Sequence, residues 1–100
     1  MGLVYIDEYE TRKAYSELDI EGNSFTIEYV ITSPIDGKPN NVNAYINKKS
    51  NTGDLKRVGY GMYDKNITSL RFDASNYALD ILTQQALGNL FYQDMVNILS

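Results

Sequence analysis

The sequence predicts an α+β domain, an antiparallel β-meander of four to six strands followed by one kinked or two short C-terminal helices. Three observations carry that prediction. Between Tyr15 and Phe72, apolar residues recur at every second position in short runs separated by Gly-, Asn- and Pro-bearing turns. From Leu79 onward the apolar period lengthens to that of a helix. The chain of 100 residues, 43% hydrophobic and 22% charged, has the composition of a globular protein and the length for one core, so residues 1–100 are read as a single domain.

The elements follow in order. Residues 3–9, "LVYIDEY", allow a first short strand or an extended arm. From Tyr15, Leu18 and Ile20 share one face and Glu17, Asp19 and Glu21 the other. "EGNS" turns the chain, with Gly22 and Asn23 as the residues that tolerate positive φ. In the next run Phe25, Ile27, Tyr29 and Ile31 alternate with Thr26, Glu28, Val30 and Thr32, which makes a hairpin with one buried and one wetter face. "SPIDGKPNN" reads as a loop. Val42, Ala44 and Ile46 then face inward, and "KSNTGD" turns at Gly53.

The returning strand, "LKRVGYGMY", raises a particular question. Strict alternation puts Lys56, Val58, Tyr60 and Met62 on one face and Leu55, Arg57, Gly59, Gly61 and Tyr63 on the other. Two glycines on one face of a strand permit a bend or the close approach of another element. "DKN" leads into a last strand in which Thr68, Leu70 and Phe72 alternate with Ile67, Ser69 and Arg71.

In the C-terminal segment, Asp73 or Ser75 is a candidate N-cap, and Leu79, Leu82, Ala86 and Leu90 form one stripe. Leu87, Phe91, Met95 and Ile98 form a second, turned by about 145° around the helix from the first. The stripes change over at Gly88-Asn89, which favours a break into two helices with Gly88 as C-cap. An unbroken helix would instead leave Leu87, Phe91, Met95 and Ile98 as an exposed apolar face and a candidate homodimer contact.

The chain contains neither histidine nor cysteine. Imidazole-based catalysis, thiol nucleophiles, disulfides and the usual zinc sites are therefore outside its chemistry. "VGYGMYD" is not a phosphate-binding glycine loop, because its spacing is wrong and it leads to a turn and not to a helix. Acids at alternate strand positions read as a solvated face. These features point to a non-enzymatic protein with no cofactor or metal. The first residues lack a basic region followed by an apolar run, and no apolar stretch reaches the length of a membrane span, so a cytoplasmic protein without membrane contact is expected.

The net charge of −4 is unevenly spread: −5 over residues 1–32, +4 over residues 33–72 and −3 over residues 73–100. Opposed charged regions can steer partners. The sequence therefore suggests a small acidic protein-interaction module that meets a basic surface of a partner through Glu17, Asp19, Glu21 and Glu28, with carboxylates about 7 Å apart along a strand. Such chains resemble, in size and charge alone, phage-encoded inhibitors of host enzymes, which implies a viral or mobile-element accessory role. The alternative is a single-stranded nucleic-acid binder. Lys48, Lys49, Lys56 and Arg57 cluster in "KKSNTGDLKR", with Tyr45, Tyr60 and Tyr63 near them for base stacking. Nine tyrosines in 100 residues serve either reading, since tyrosine joins a large apolar surface to a polar tip.

Overall fold

A computed structural model describes residues 9–35, 37–73 and 79–100. Within them the fold is α+β: a five-stranded antiparallel meander in sequence order, β1 (Tyr9–Ile20), β2 (Asn23–Pro34), β3 (Asn41–Lys49), β4 (Leu55–Asp64) and β5 (Ile67–Phe72), then a single helix, α1 (Ile81–Leu99). The strand or arm expected over residues 3–9 falls outside the described residues except for Tyr9, where β1 begins. No helix among the described residues is long and apolar enough to cross a membrane.

Two tight turns set the register of the outer hairpins. Glu21 and Gly22, with φ of 49° and 81°, join β1 to β2, and Lys65 and Asn66, with φ of 48° and 71°, join β4 to β5. Positive φ at both central residues matches the twist of the flanking strands. Asn23, expected in the first turn, is instead the first residue of β2 opposite Ile20. β2 also runs further than its composition suggests: Ser33 is buried and Pro34 pairs with Tyr9, so the loop that follows is shorter than "SPIDGKPNN".

One face of the sheet is packed and the other open. The packed face collects Phe25, Ile27, Tyr29 and Ile31 of β2 and Val42, Ala44 and Ile46 of β3, all buried and all at the inward positions set by alternation. Leu87, Phe91 and Met95 of α1, also buried, close the core over them. Each fully buried large apolar side chain in this layer contributes about 1.5–3 kcal/mol relative to leaving it exposed.

The helix does not break. It runs unbroken through Gly88, where an added Cβ would sit 3.5 Å from Leu70 in ordinary contact. The stripe that begins at Leu87 is the one that faces the sheet, joined at its upstream end by buried Thr83, so Leu87, Phe91 and Met95 are core and not a dimer face; Ile98 is half-buried against the same core. In the other stripe Leu82 is exposed, while Leu79, Ala86 and Leu90 are partly buried. Sequence alone could not rank the two stripes, because both are apolar; the sheet selects the one whose side chains fit its surface. The N-cap is Asp80, whose carboxylate accepts the Thr83 N–H at 2.8 Å, neither Asp73 nor Ser75. Those hydrogen bonds from Thr83 hold the Asp80 carboxyl below its ordinary pKa. Asp73 instead donates its N–H to the Val58 carbonyl at 2.8 Å, and Ser75 lies outside the described residues.

Gly61 explains half of the glycine pair. A Cβ there would lie 2.6 Å from Phe91, so the missing side chain is the notch that seats the ring. At the far end of the helix, Asp94 accepts hydrogen bonds from Ser16 (2.6 Å) and Tyr29 (2.7 Å), clamping α1 to β1 and β2. Burial, together with the Asp94 carboxylate, pushes the Tyr29 hydroxyl well above its ordinary pKa.

Candidate functional site: the open face of the sheet

Gly59 explains the rest. The pairing of β3 with β4 slips here, with Ile46 opposite Gly59 and Asn47 opposite Arg57, so Val58 is an extra residue in β4. This is a β-bulge, which bends a strand and re-aims its side chains. Gly59 is tightly enclosed, since a Cβ would meet the Arg71 carbonyl at 3.0 Å, Phe72 at 3.1 Å and Ile46 at 3.2 Å. Val58 is fully buried.

The bulge overturns the strict alternation expected along β4. Beyond it, Leu55 and Arg57 join Tyr60 and Met62 on the open face, because Arg57 and Tyr60 lie opposite Asn47 and Tyr45, two residues of one β3 face. Lys56 lies opposite Lys48 on the other face. The basic hairpin is thus divided between two sides of the sheet. Arg57, Tyr45, Tyr60 and Lys49 belong to the open face, and Lys48 and Lys56 do not. Tyr63 is also on the packed side, half-buried against the core, and its hydroxyl donates to Asn66 at 2.9 Å.

What the open face assembles is a cross-sheet row. Tyr15 lies opposite Glu28, Glu28 opposite Tyr45, Tyr45 opposite Tyr60, and Tyr60 opposite Arg71. The two central rings meet edge to face, with centroids 5.5 Å apart. The Arg57 guanidinium lies 4.5 Å from the Tyr45 ring centroid, and that of Arg71 lies 5.9 Å from the Tyr60 centroid. Both are within cation–π range. Two asparagines hold this group in place. Tyr60 donates its hydroxyl to Asn43 Oδ1 at 2.6 Å, and Arg57 Nε donates to Asn47 Oδ1 at 2.9 Å. Beside it, Arg57, Tyr60, Arg71 and Asp73 border an open depression of about 380 Å³.

The acidic row is only partly assembled. Glu17, Asp19 and Glu28 share the open face at the β1–β2 side, where Asp19 accepts a hydrogen bond from Ser24 at 2.8 Å. Glu21 is not in the row, because it occupies the turn with positive φ. Across three strand spacings, about 14 Å, the face therefore passes from carboxylates through paired tyrosines to arginines.

Sequence reading missed Arg71, Asn43 and Asn47. Alternation places Arg71 opposite in sense to Leu70 and Phe72, but its neighbour Tyr60 is known only once the β4–β5 register is known. No protein family, curated protein or solved structure matches this chain.

Proposed function

We propose that the protein is an interaction module that binds a protein partner through the open face of its sheet. Tyr45, Tyr60, Arg57 and Arg71 are the anchor of that surface, and Glu17, Asp19 and Glu28 are its acidic margin. The observation that supports this reading best is the Tyr–Arg group itself: two half-buried tyrosines and two exposed arginines, pre-positioned by Asn43 and Asn47. Tyrosine and arginine are the residue types that dominate binding energy at protein interfaces, and rings already held in place lose little entropy on binding. The partner that fits has an acidic element to meet Arg57 and Arg71 and a basic one to meet the margin, since complementary charge sets orientation and on-rate.

Single-stranded nucleic acid is the second reading, favoured by the bulge that brings Arg57 to the same face as Tyr45, Tyr60 and Arg71. Three features weigh against it. Arg57 covers the Tyr45 ring, the edge-to-face rings form no flat platform for bases, and Glu28 stands directly beside Tyr45 in a chain of net charge −4.

Two titrations separate the readings. A labelled single-stranded oligonucleotide is titrated with the protein at low and moderate salt. In parallel, proteins captured from the native host on wild-type chain, on Arg57→Ala/Tyr60→Ala and on Glu17→Lys/Asp19→Lys are compared, and the best candidate is purified and measured by calorimetry. The protein reading expects no saturable oligonucleotide binding and a purified partner whose affinity falls at least about tenfold with Arg57→Ala/Tyr60→Ala. Salt-sensitive oligonucleotide binding that is lost with Arg57→Ala and Arg71→Ala would replace it with the nucleic-acid reading.

A further inference from the structure

We propose that β1 is the interface with a second copy of this chain, pairing antiparallel with β1 of that copy across a twofold axis at Tyr15 to give one continuous ten-stranded sheet. β1 is an edge strand of 12 residues with no proline or bulge, and the charges it carries, which guard an edge in a single chain, include Lys13 and Glu17 of opposite sign on one face. Residues 10–15 are exposed, and Tyr15, at the middle of the strand, is 69% exposed.

The backbone groups that would pair can be identified from the turn. In a two-residue hairpin the flanking pair, here Ile20 and Asn23, exchanges both hydrogen bonds, and bonded pairs then alternate along the strands. Leu18, Ser16, Ala14 and Arg12 therefore bond to β2. Asp19, Glu17, Tyr15, Lys13 and Thr11 direct their N–H and C=O groups away from β2, to the edge that no other described strand pairs with. A twofold axis perpendicular to the sheet preserves its faces, so each residue meets one of its own parity.

Charge selects the register. With the axis at Tyr15, Tyr15 meets Tyr15, Lys13 meets Glu17 twice, and Thr11 meets Asp19 twice, all through outward-facing backbone groups. An axis at Lys13 would put two lysines opposite each other, and one at Glu17 two glutamates; directly opposed like charges are destabilising. An axis at Ala14 pairs no charges, and one at Ser16, although it pairs Lys13 with Asp19 twice, sets Tyr15 against Glu17. The Tyr15 register alone both matches the tyrosines and neutralises Lys13 with Glu17. This interface lies at the opposite edge of the sheet from Arg57 and Arg71, and it shares Glu17 and Asp19 with the acidic margin of the partner surface proposed above. In the pair, both open faces would lie on one side.

The test is the mass of the intact chain in solution, by light scattering on a sizing column and by sedimentation, with circular dichroism to confirm folding. Wild type should have twice the chain mass of 11.3 kDa. Lys13→Glu should weaken the dimer by about tenfold or more, since two attractive pairs become repulsive. The double swap Lys13→Glu/Glu17→Lys should restore it, an outcome that general destabilisation cannot produce. A folded wild-type monomer at high micromolar concentration would overturn the proposal, as would a dimer indifferent to Lys13→Glu. Rescue by Asp19→Lys in place of Glu17→Lys would move the axis to Ser16 and overturn this register.

Discussion

On its packed side the β3–β4 pair presents Ala44 and Gly61 to the helix; one residue along, on the open side, the same two strands present Tyr45 and Tyr60 to solvent. Both faces are built around aromatic rings, but in opposite ways. Phe91 fits the packed face because a side chain is missing at Gly61. On the open face the rings are fixed by polar partners, Asn43 for Tyr60 and Arg57 for Tyr45. The packed arrangement depends on exclusion of volume and tolerates no additional atoms. The open one depends on directional contacts in water and leaves room for a partner. The lesson is that one strand pair can carry a packed face and a solvent-facing aromatic face a single residue apart.

That comparison is broken most forcefully from the packed side. Phe91→Ala should cost about 3–5 kcal/mol in chemical denaturation, the usual range for deleting a buried ring. Gly61→Ala, which adds a single carbon against Phe91, should cost about 1–3 kcal/mol. Combined with Phe91→Leu, it should cost less than the sum of the two single changes, because the smaller side chain leaves room for the added methyl. Strict additivity would mean that Phe91 does not seat in the Gly61 notch.

Next in size is the clamp at the end of the helix. Asp94→Ala should destabilise by about 1–3 kcal/mol, since it leaves the buried Tyr29 hydroxyl without its acceptor. Its pH dependence carries a definite sign. The folded-state pKa of Tyr29 is raised above the unfolded value, so the stability it contributes is complete below about pH 10. Above that, the unfolded chain ionises its tyrosine while the folded chain does not, and stability falls. A denaturation series from pH 8 to 11 should show this fall, and Tyr29→Phe should flatten it.

The smallest effect on stability should come from the open face. Arg57→Ala or Arg71→Ala should change unfolding free energy by less than about 1 kcal/mol, as expected for exposed cation contacts. A loss of several kcal/mol would show that these arginines support the fold, and the division between the two faces would fail. Tyr60→Phe isolates the hydroxyl bond to Asn43 and sharpens the comparison. It should leave stability within about 0.5–1.5 kcal/mol of wild type and weaken partner binding by loosening the ring.

The antiparallel meander and its inward residues were legible in the sequence because a strand's side chains alternate strictly and one face must be apolar. Phe25, Ile27, Tyr29, Ile31, Val42, Ala44 and Ile46 all obey that rule and are all buried. The rule fails at the first irregularity. One extra residue, Val58, reverses the phase of every position before it in β4, and no local signal beyond Gly59 marks the place. The acidic row was likewise readable up to Asp19 and misread at Glu21, where the tight turn and not the strand sets the direction of the chain.

The sequence by itself determined the order of the elements, the apolar faces of β2 and β3, and the separation of acidic from basic regions, because each of these depends on residues close together in the chain. Tertiary structure alone decided which of two apolar helix stripes is core, that Gly88 continues the helix, and that Arg57 and Arg71 flank the Tyr45–Tyr60 pair. Those outcomes depend on fit between segments that are distant in sequence: a ring against a missing side chain, a bulge against its partner strand, and one register against the next. Periodicity records which side of an element is apolar, but only packing determines what lies against it.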